Sequence, residues 1–149
     1  MRIAVSTDEW LPLVKALLEE LEQRGHEPLY FGPESEKDTA DWPEVTLKAI
    51  GAVRSGEAEE AIVLCWTGTG CSIVANKVPG IRAALCSDGE TAKGARIWNH
   101  ANVLALSLRA TSPAILREIL DRWFDTPFGE DAWNTRQIAR VRQVEETGG

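Results

Sequence analysis

Five short apolar runs alternate along the chain with stretches whose apolar residues recur every three or four positions. Arg2–Ser6, Glu27–Phe31, Glu60–Cys65, Ile81–Leu85 and Asn102–Leu106 read as strands, and Glu60–Cys65 is the most uniformly apolar at its centre. The first intervening helix opens at Pro12, carries Leu13, Val14, Leu17, Leu18 and Leu21 on one face, and stops at Gly25. Pro28 places the second strand near a sheet edge. A polar loop, Gly32–Ala40, leads to Asp41-Trp42-Pro43-Glu44, which has the residue types of a capping box. Leu47, Ile50 and Val53 carry that helix toward Gly56. Ser72–Lys77 reads as a short helix, and Asp88–Trp98 as a longer one capped by Ser87 or Asp88. Ser112-Pro113 open a helix with Ile115, Leu116, Ile119, Leu120 and Trp123 on one face. Asp131–Glu146, bearing Trp133, Ile138, Val141 and Val144, forms the last, with Thr147–Gly149 as a frayed tail.

Strands separated by helices pair in parallel, because each crossover must return the chain to the same edge. The expected fold is therefore α/β, a Rossmann-like doubly wound sandwich on a five-stranded parallel sheet, with residues 1–149 as one domain. In such sheets ligands bind beyond the carboxyl ends of the strands. That rule selects Thr7–Trp10, Cys65–Cys71 and Cys86–Glu90 before any chemistry is considered.

Composition narrows the function. A formal charge of −7 argues against a nucleic-acid platform. No apolar run reaches the roughly 18 residues of a membrane span, and no signal-peptide layout precedes the first strand. Three cysteines, an odd number in a chain too large to need stapling, read as free thiols in a reducing cytoplasm. His26 and His100 stand apart from one another and from the cysteines, with no metal-ligand spacing, so neither metal nor cofactor is expected.

The loop Cys65-Trp-Thr-Gly-Thr-Gly-Cys71 carries the strongest chemical signal. Gly68 and Gly70 let backbone N–H groups approach a ligand, and the helix start behind them favours an anion. A thiol beside that positive end has a lowered pKa and can act as base or nucleophile. The bland alternative is a core thiol at a strand end. Cys71 after Gly70 excludes a Walker loop, which needs Lys-Ser/Thr there, and Ile73 stands where a dinucleotide fingerprint has its third glycine. Cys71 also occupies the place of the arginine in a tyrosine-phosphatase-like loop.

Cys65, Thr67, Gly68, Gly70, Ser72, Ile73, Ala75, Asn76, Lys77, Gly80, Arg82 and Ala83 together resemble the central motif of the ribose-5-phosphate isomerase B and galactose-6-phosphate isomerase family. Asp8, Asn99 and Asn102–Ala105 extend the likeness over nearly the whole chain. The resemblance implies aldose–ketose isomerisation of a sugar phosphate through an enediolate. Cys65 would be the carbon base and Thr67 would bind or open the sugar ring. The backbone of Gly68, Thr69 and Gly70 would steady the enediolate oxygens. Asp8 and Asn99 would hold the sugar, and Arg109 its phosphate. The base of some members is a Glu at the position of Cys71. The resemblance also implies homodimers or dimers of dimers with sites shared between subunits, the C-terminal helix reaching toward the partner.

Departures from the family pattern bear on substrate. Glu9 replaces a His, Trp98 replaces the ring-opening His, and Trp133 and Gln137 fall where the C-terminal phosphate arginines are expected. Trp66 stands where the family has Gly. Arg136 and Arg140 lie one turn apart and are candidates to replace the lost guanidiniums, or else a solvated helix face. Trp stacks on a sugar but cannot hold phosphate. These changes point to a sugar other than ribose 5-phosphate, including one without phosphate. A non-catalytic sugar-binding relative is the second class considered, and acyl or phosphoryl transfer the third, since Cys65 has no evident base partner.

Overall fold

The computed structural model describes residues 1–149. Chain order is β1 (Arg2–Ser6), α1 (Pro12–Gln23), β2 (Glu27–Phe31), α2 (Trp42–Ser55), β3 (Glu60–Cys65), α3 (Thr69–Asn76), β4 (Ala83–Leu85), α4 (Gly89–Asn99), β5 (Val103–Ser107), α5 (Pro113–Asp125) and α6 (Ala132–Thr147). The strands form one sheet in the order β2-β1-β3-β5-β4, every pairing parallel. The expected α/β architecture is therefore the observed one, with β2 at an edge as Pro28 requires.

Period-two alternation divides the sheet into unlike faces. Ile3, Val5, Ile62, Leu64, Leu104 and Leu106 project into a large aliphatic core with α1, α4 and α5. Ala4, Ala61, Val63, Cys65, Val103 and Ala105 project to the other side, where α2 and α3 pack. Small residues on that face let those two helices approach the sheet closely. The chain winds one way from β1 to β2 and the other way from β3 outward, so the switch point lies between β1 and β3.

Four local expectations are corrected. Helix α3 begins at Thr69 rather than Ser72, because Gly68 adopts a left-handed φ of 75° and turns the strand directly into the helix. Strand β4 begins at Ala83 rather than Ile81, because the Arg82 amide donates to the Asn102 side chain at 2.8 Å instead of to a strand. Strand β5 accordingly starts at Val103 and runs on to Ser107, opposite Cys65. Asp41 precedes α2 without a side-chain cap bond. Pro43 occupies its second position and has no N–H to offer, which removes one of the usual capping donors. Asp88, by contrast, does cap α4 by accepting from the Thr91 amide at 2.7 Å.

A polar cluster lies at the amino edge of the sheet. Glu60 is 8% exposed and accepts from Arg96 Nη1 and from Trp123 Nε1, each at 2.7 Å. The Arg96 guanidinium stacks over the rings of Trp123 and Phe128. His100, left-handed at φ 47°, closes α4, stacks on Phe128 and bonds the Gly129 carbonyl through Nε2 at 2.7 Å. These contacts fasten the segment between α5 and α6 to the end of α4, and α6 packs on α4 beyond it. No helix is long and apolar enough to cross a membrane.

Candidate active site

Cys65 is the last residue of β3, on the face covered by α2 and α3, and is 6% exposed. The turn that follows is fixed by Gly68. A Cβ there would lie 2.5 Å from Leu85 Cδ1 and 2.9 Å from the Leu106 carbonyl carbon, and the left-handed φ independently favours glycine. At Gly70 a Cβ would meet the Trp42 ring at 3.1 Å, so the first residue of α2 lies directly over the turn. Helix α3 then starts with free amides, as helix N-termini do.

Those amides face sulfur. The Cys71 S–H and the amides of Cys71, Gly68 and Gly70 surround the Cys65 thiol, the Gly68 N–H itself donating to the Cys65 carbonyl at 3.2 Å, and together they outweigh burial to bring that thiol down to about 6. Cys65 is therefore a thiolate at neutral pH. Cys71 is held in the opposite state. Its S–H lies within reach of the Gly68 carbonyl at 3.3 Å and the Val63 carbonyl at 3.5 Å, beside Cys65. Hydrogen bonding to Cys65, full burial and the adjacent negative charge raise its pKa. The third thiol, Cys86, is pushed up to about 12 by burial and by Asp88. The amides expected to meet enediolate oxygens are thus, in the free protein, directed at the cysteine.

The register that pairs Ser6 with Val63 brings the residues after β1 alongside Cys65. Two oxygens there are buried without a partner, Ser6 Oγ and Asp8 Oδ1. Burial raises the Asp8 pKa, and Glu9 adds to it. Glu9 itself turns away, bridging Thr39 and lining a separate cleft with Trp10, Leu11, Glu36 and Asp38.

On the other side of the turn, a cleft of about 230 Å³ is lined by Thr67, Cys86, Ser87, Ser107, Arg109 and Thr111, among others. Its floor is rigid, since the Leu108 and Arg109 amides donate to the carbonyls of Cys65 and Trp66. Thr67 and Thr69 share a hydroxyl–hydroxyl bond of 2.7 Å at the rim. Arg109 is the one arginine on this cleft, and the hydroxyls beside it suit an anion.

Within one chain the structure does not bring Trp98, Asn99, Arg136 or Arg140 to Cys65. Helix α4 runs back against the strands, so its C-terminal residues lie at the amino edge of the sheet, opposite the thiol. Trp98 and Asn99 instead line a groove of about 450 Å³ with Arg82, Gln137, Ile138 and Val141. Arg136 and Arg140 are exposed on α6 outside that groove, and Arg140 bonds Gln143. Sequence reasoning placed Ser87 in a ligand-facing segment, Cys86–Glu90, but missed Trp42 as a wall over Gly70 and Thr111 beside Arg109. Trp42 sat inside a helix-start motif, and nothing local announces a contact with a loop some thirty residues away.

Comparison with known proteins agrees with this architecture. Residues 3–144 match the Ribose/Galactose Isomerase family. The chain is 35% identical over 129 residues to the D-erythrulose-4-phosphate isomerase of Pectobacterium atrosepticum, covering 86% of this chain and 85% of that protein. It is 33% identical to the ribose-5-phosphate isomerase B of Escherichia coli, covering 85% and 83%. The solved structure of the ribose-5-phosphate isomerase B of Clostridium thermocellum superposes with a TM-score of 0.92 at 35% identity, covering all of both chains. The chain belongs to the ribose/galactose isomerase family.

Proposed function

We propose that this family member is an aldose–ketose isomerase acting on a sugar phosphate, with the Cys65 thiolate as its base. The observation that carries the reading is the amide-and-thiol cradle that lowers the Cys65 pKa to about 6 at the sheet's switch point. A general base works best when its pKa lies near the working pH. The thiolate removes the proton from the carbon beside the carbonyl, an enediolate forms, and the thiol returns the proton to the neighbouring carbon. As Cys65 takes the proton its charge disappears, and the amides of Gly68–Gly70 become free to serve the enediolate oxygens. One such donor is worth roughly 3 kcal/mol of barrier. Asp8, with its unpartnered oxygen, holds sugar hydroxyls, Thr67 assists ring opening, and Arg109 takes the phosphate. No metal or cofactor enters this scheme.

The substrate differs from ribose 5-phosphate. Trp98, Trp133 and Gln137 supply no positive charge where the family pattern has His and Arg, which leaves Arg109 to bear most of the phosphate. A shorter sugar phosphate of the kind named for the Pectobacterium relative suits a cleft of this size. A panel of tetrose, pentose and hexose phosphates and their free sugars tests this. The reading expects the highest kcat/KM on a phosphorylated sugar other than ribose 5-phosphate, and preferential turnover of ribose 5-phosphate contradicts it. Uniform preference for free sugars supports a non-phosphorylated substrate instead.

Completion of the site falls to a second copy of the chain. Ile73, Trp98 and Trp133 are each more than half exposed, and Leu85, Val141 and Val144 add to the uncovered apolar surface. A homodimer burying this surface brings Trp98, Asn99 and helix α6 of one subunit toward Cys65 of the other. Mixing Cys65→Ala with Asn99→Ala protein after mild dissociation then restores activity that neither has alone. Absence of complementation between correctly assembled variants contradicts sharing.

A further inference from the structure

We propose that Cys65 and Cys71 are an oxidative modification site: a hydroperoxide closes them into a reversible disulfide that switches the protein off. The disulfide rests on the placement of the two cysteines in one turn and one packed cluster, whereas the loss of turnover rests also on the reading of Cys65 as base.

Two thiols meet inside the loop in unlike states. Cys65 ends β3 with limited access to solvent, and Cys71 sits fully buried in the first turn of α3. Its Sγ is held against the carbonyl of Gly68, three residues after Cys65, at 3.3 Å and that of Val63, two residues before it, at 3.5 Å. Both project into the same cluster between the sheet and helices α2 and α3. Only residues 66–70 separate them, and Gly68 and Gly70 lie among these, so the turn that presents the cysteine also folds the second thiol back onto it. Such a pairing has the two components of a redox site, a reactive sulfur and a resolving sulfur beside it. The isomerisation assigned above uses one thiol as base and gives the other no proton to move.

The chemistry balances with a hydroperoxide as oxidant. The Cys65 thiolate attacks one peroxide oxygen, the O–O bond breaks, and the other oxygen leaves as hydroxide or alkoxide and takes up a proton. Cys65 is then a neutral sulfenic acid. Its negative charge no longer opposes ionisation of Cys71, so one cause of the raised Cys71 pKa is gone. Cys71 gives up its proton and its sulfur attacks Cys65; the S–O bond breaks and water departs. Two electrons have passed from the thiol pair to the peroxide, and a dithiol reductant reverses the result. Burial of both sulfurs favours a small oxidant over a bulky disulfide such as oxidised glutathione. Cys86 lies in the Arg109 cleft with its pKa near 12 and serves as an internal control.

The test treats the reduced full-length protein with hydrogen peroxide, alkylates free thiols under denaturing conditions and digests with trypsin. Cys65 and Cys71 fall in one peptide, Ser55–Lys77, and Cys86 in another, Ala83–Lys93. The expected Ser55–Lys77 peptide is unalkylated and lighter by two hydrogens, Cys86 remains alkylated, and dithiothreitol restores both the thiols and the lost turnover. In Cys71→Ser the same treatment leaves Cys65 carrying oxygen, with no two-hydrogen loss: one added oxygen is a sulfenic acid that dithiothreitol reverses, and with excess peroxide two added oxygens are a sulfinic acid that dithiothreitol does not reverse, so turnover then stays lost. A wild-type peptide that stays doubly alkylated, or that carries added oxygen without the disulfide, overturns the proposal. Reduced Cys65→Ala decides the base separately: unimpaired turnover there removes the catalytic reading while the peptide mass still decides the disulfide.

Discussion

Asp8 and Glu60 are carboxylates at opposite ends of neighbouring parallel strands, and their surroundings differ in kind. Glu60, at the start of β3, has each oxygen engaged, one by Arg96 and one by Trp123. Asp8, just past the end of β1, keeps one buried oxygen without any donor, and burial raises its pKa. A buried polar group normally finds a partner, because leaving it unpaired costs about 1–3 kcal/mol. At the amino edge the sequence meets that requirement internally and gains a fixed attachment for the segment leading to α6. At the carboxyl edge it leaves the requirement open just past the end of β1, as the proposed role of Asp8 in holding sugar hydroxyls requires.

Removing Glu60 breaks the satisfied side of this contrast with the largest effect. Glu60→Ala strands the Arg96 charge and the Trp123 N–H, and should lower stability by about 3–5 kcal/mol in chemical denaturation. Glu60→Gln, which keeps an acceptor for Trp123, should cost less. At the other edge, Gly68→Ala forces a left-handed alanine worth about 1–2 kcal/mol and adds the clash with Leu85 and Leu106. Its melting temperature should fall, and its kcat should fall more than the melting temperature alone explains.

Asp8→Asn should behave oppositely to Glu60→Ala. The folded-state pKa of Asp8 is raised, so its charge opposes folding as pH climbs above the ordinary value of 3.8. The variant should therefore melt no lower than wild type near neutral pH while its KM for sugar rises. A fall in melting temperature would place Asp8 among the structural carboxylates. The smallest change is Cys71→Ala, which removes the S–H that contributes most to lowering the Cys65 pKa. Under the proposed mechanism the thiolate is the active form, so wild-type kcat/KM should be lost as pH falls through about 6, and the variant's profile should move upward toward 9. An unshifted profile would show that the amides alone set the Cys65 pKa.

The sheet was legible because its central strands are short continuous apolar runs, buried on both faces, and its helices carry clear apolar faces. Boundaries slipped for two reasons: the Asn102 side chain took the Arg82 amide from a strand bond, and the left-handed backbone of Gly68 let α3 start early. The loop chemistry was legible at Cys65, Gly68 and Gly70 because a thiol, two glycines and a helix start occupy adjacent positions. The contact of Trp42 with Gly70, the turning away of Glu9 toward Thr39, and the separation of Trp98 and Asn99 from Cys65 depend on how distant segments pack. The order of residues holds no local signal for that.

The account stands on Cys65 exchanging a proton with the sugar carbon. The direct measurement incubates the sugar phosphate found active in the panel with the protein in deuterium oxide and follows deuterium at the carbon beside the carbonyl. Wild type should incorporate deuterium at a rate comparable to turnover, and Cys65→Ala should lose roughly 10²–10⁴-fold of that rate while keeping its fold. Undiminished incorporation by the folded Cys65→Ala protein would contradict the account.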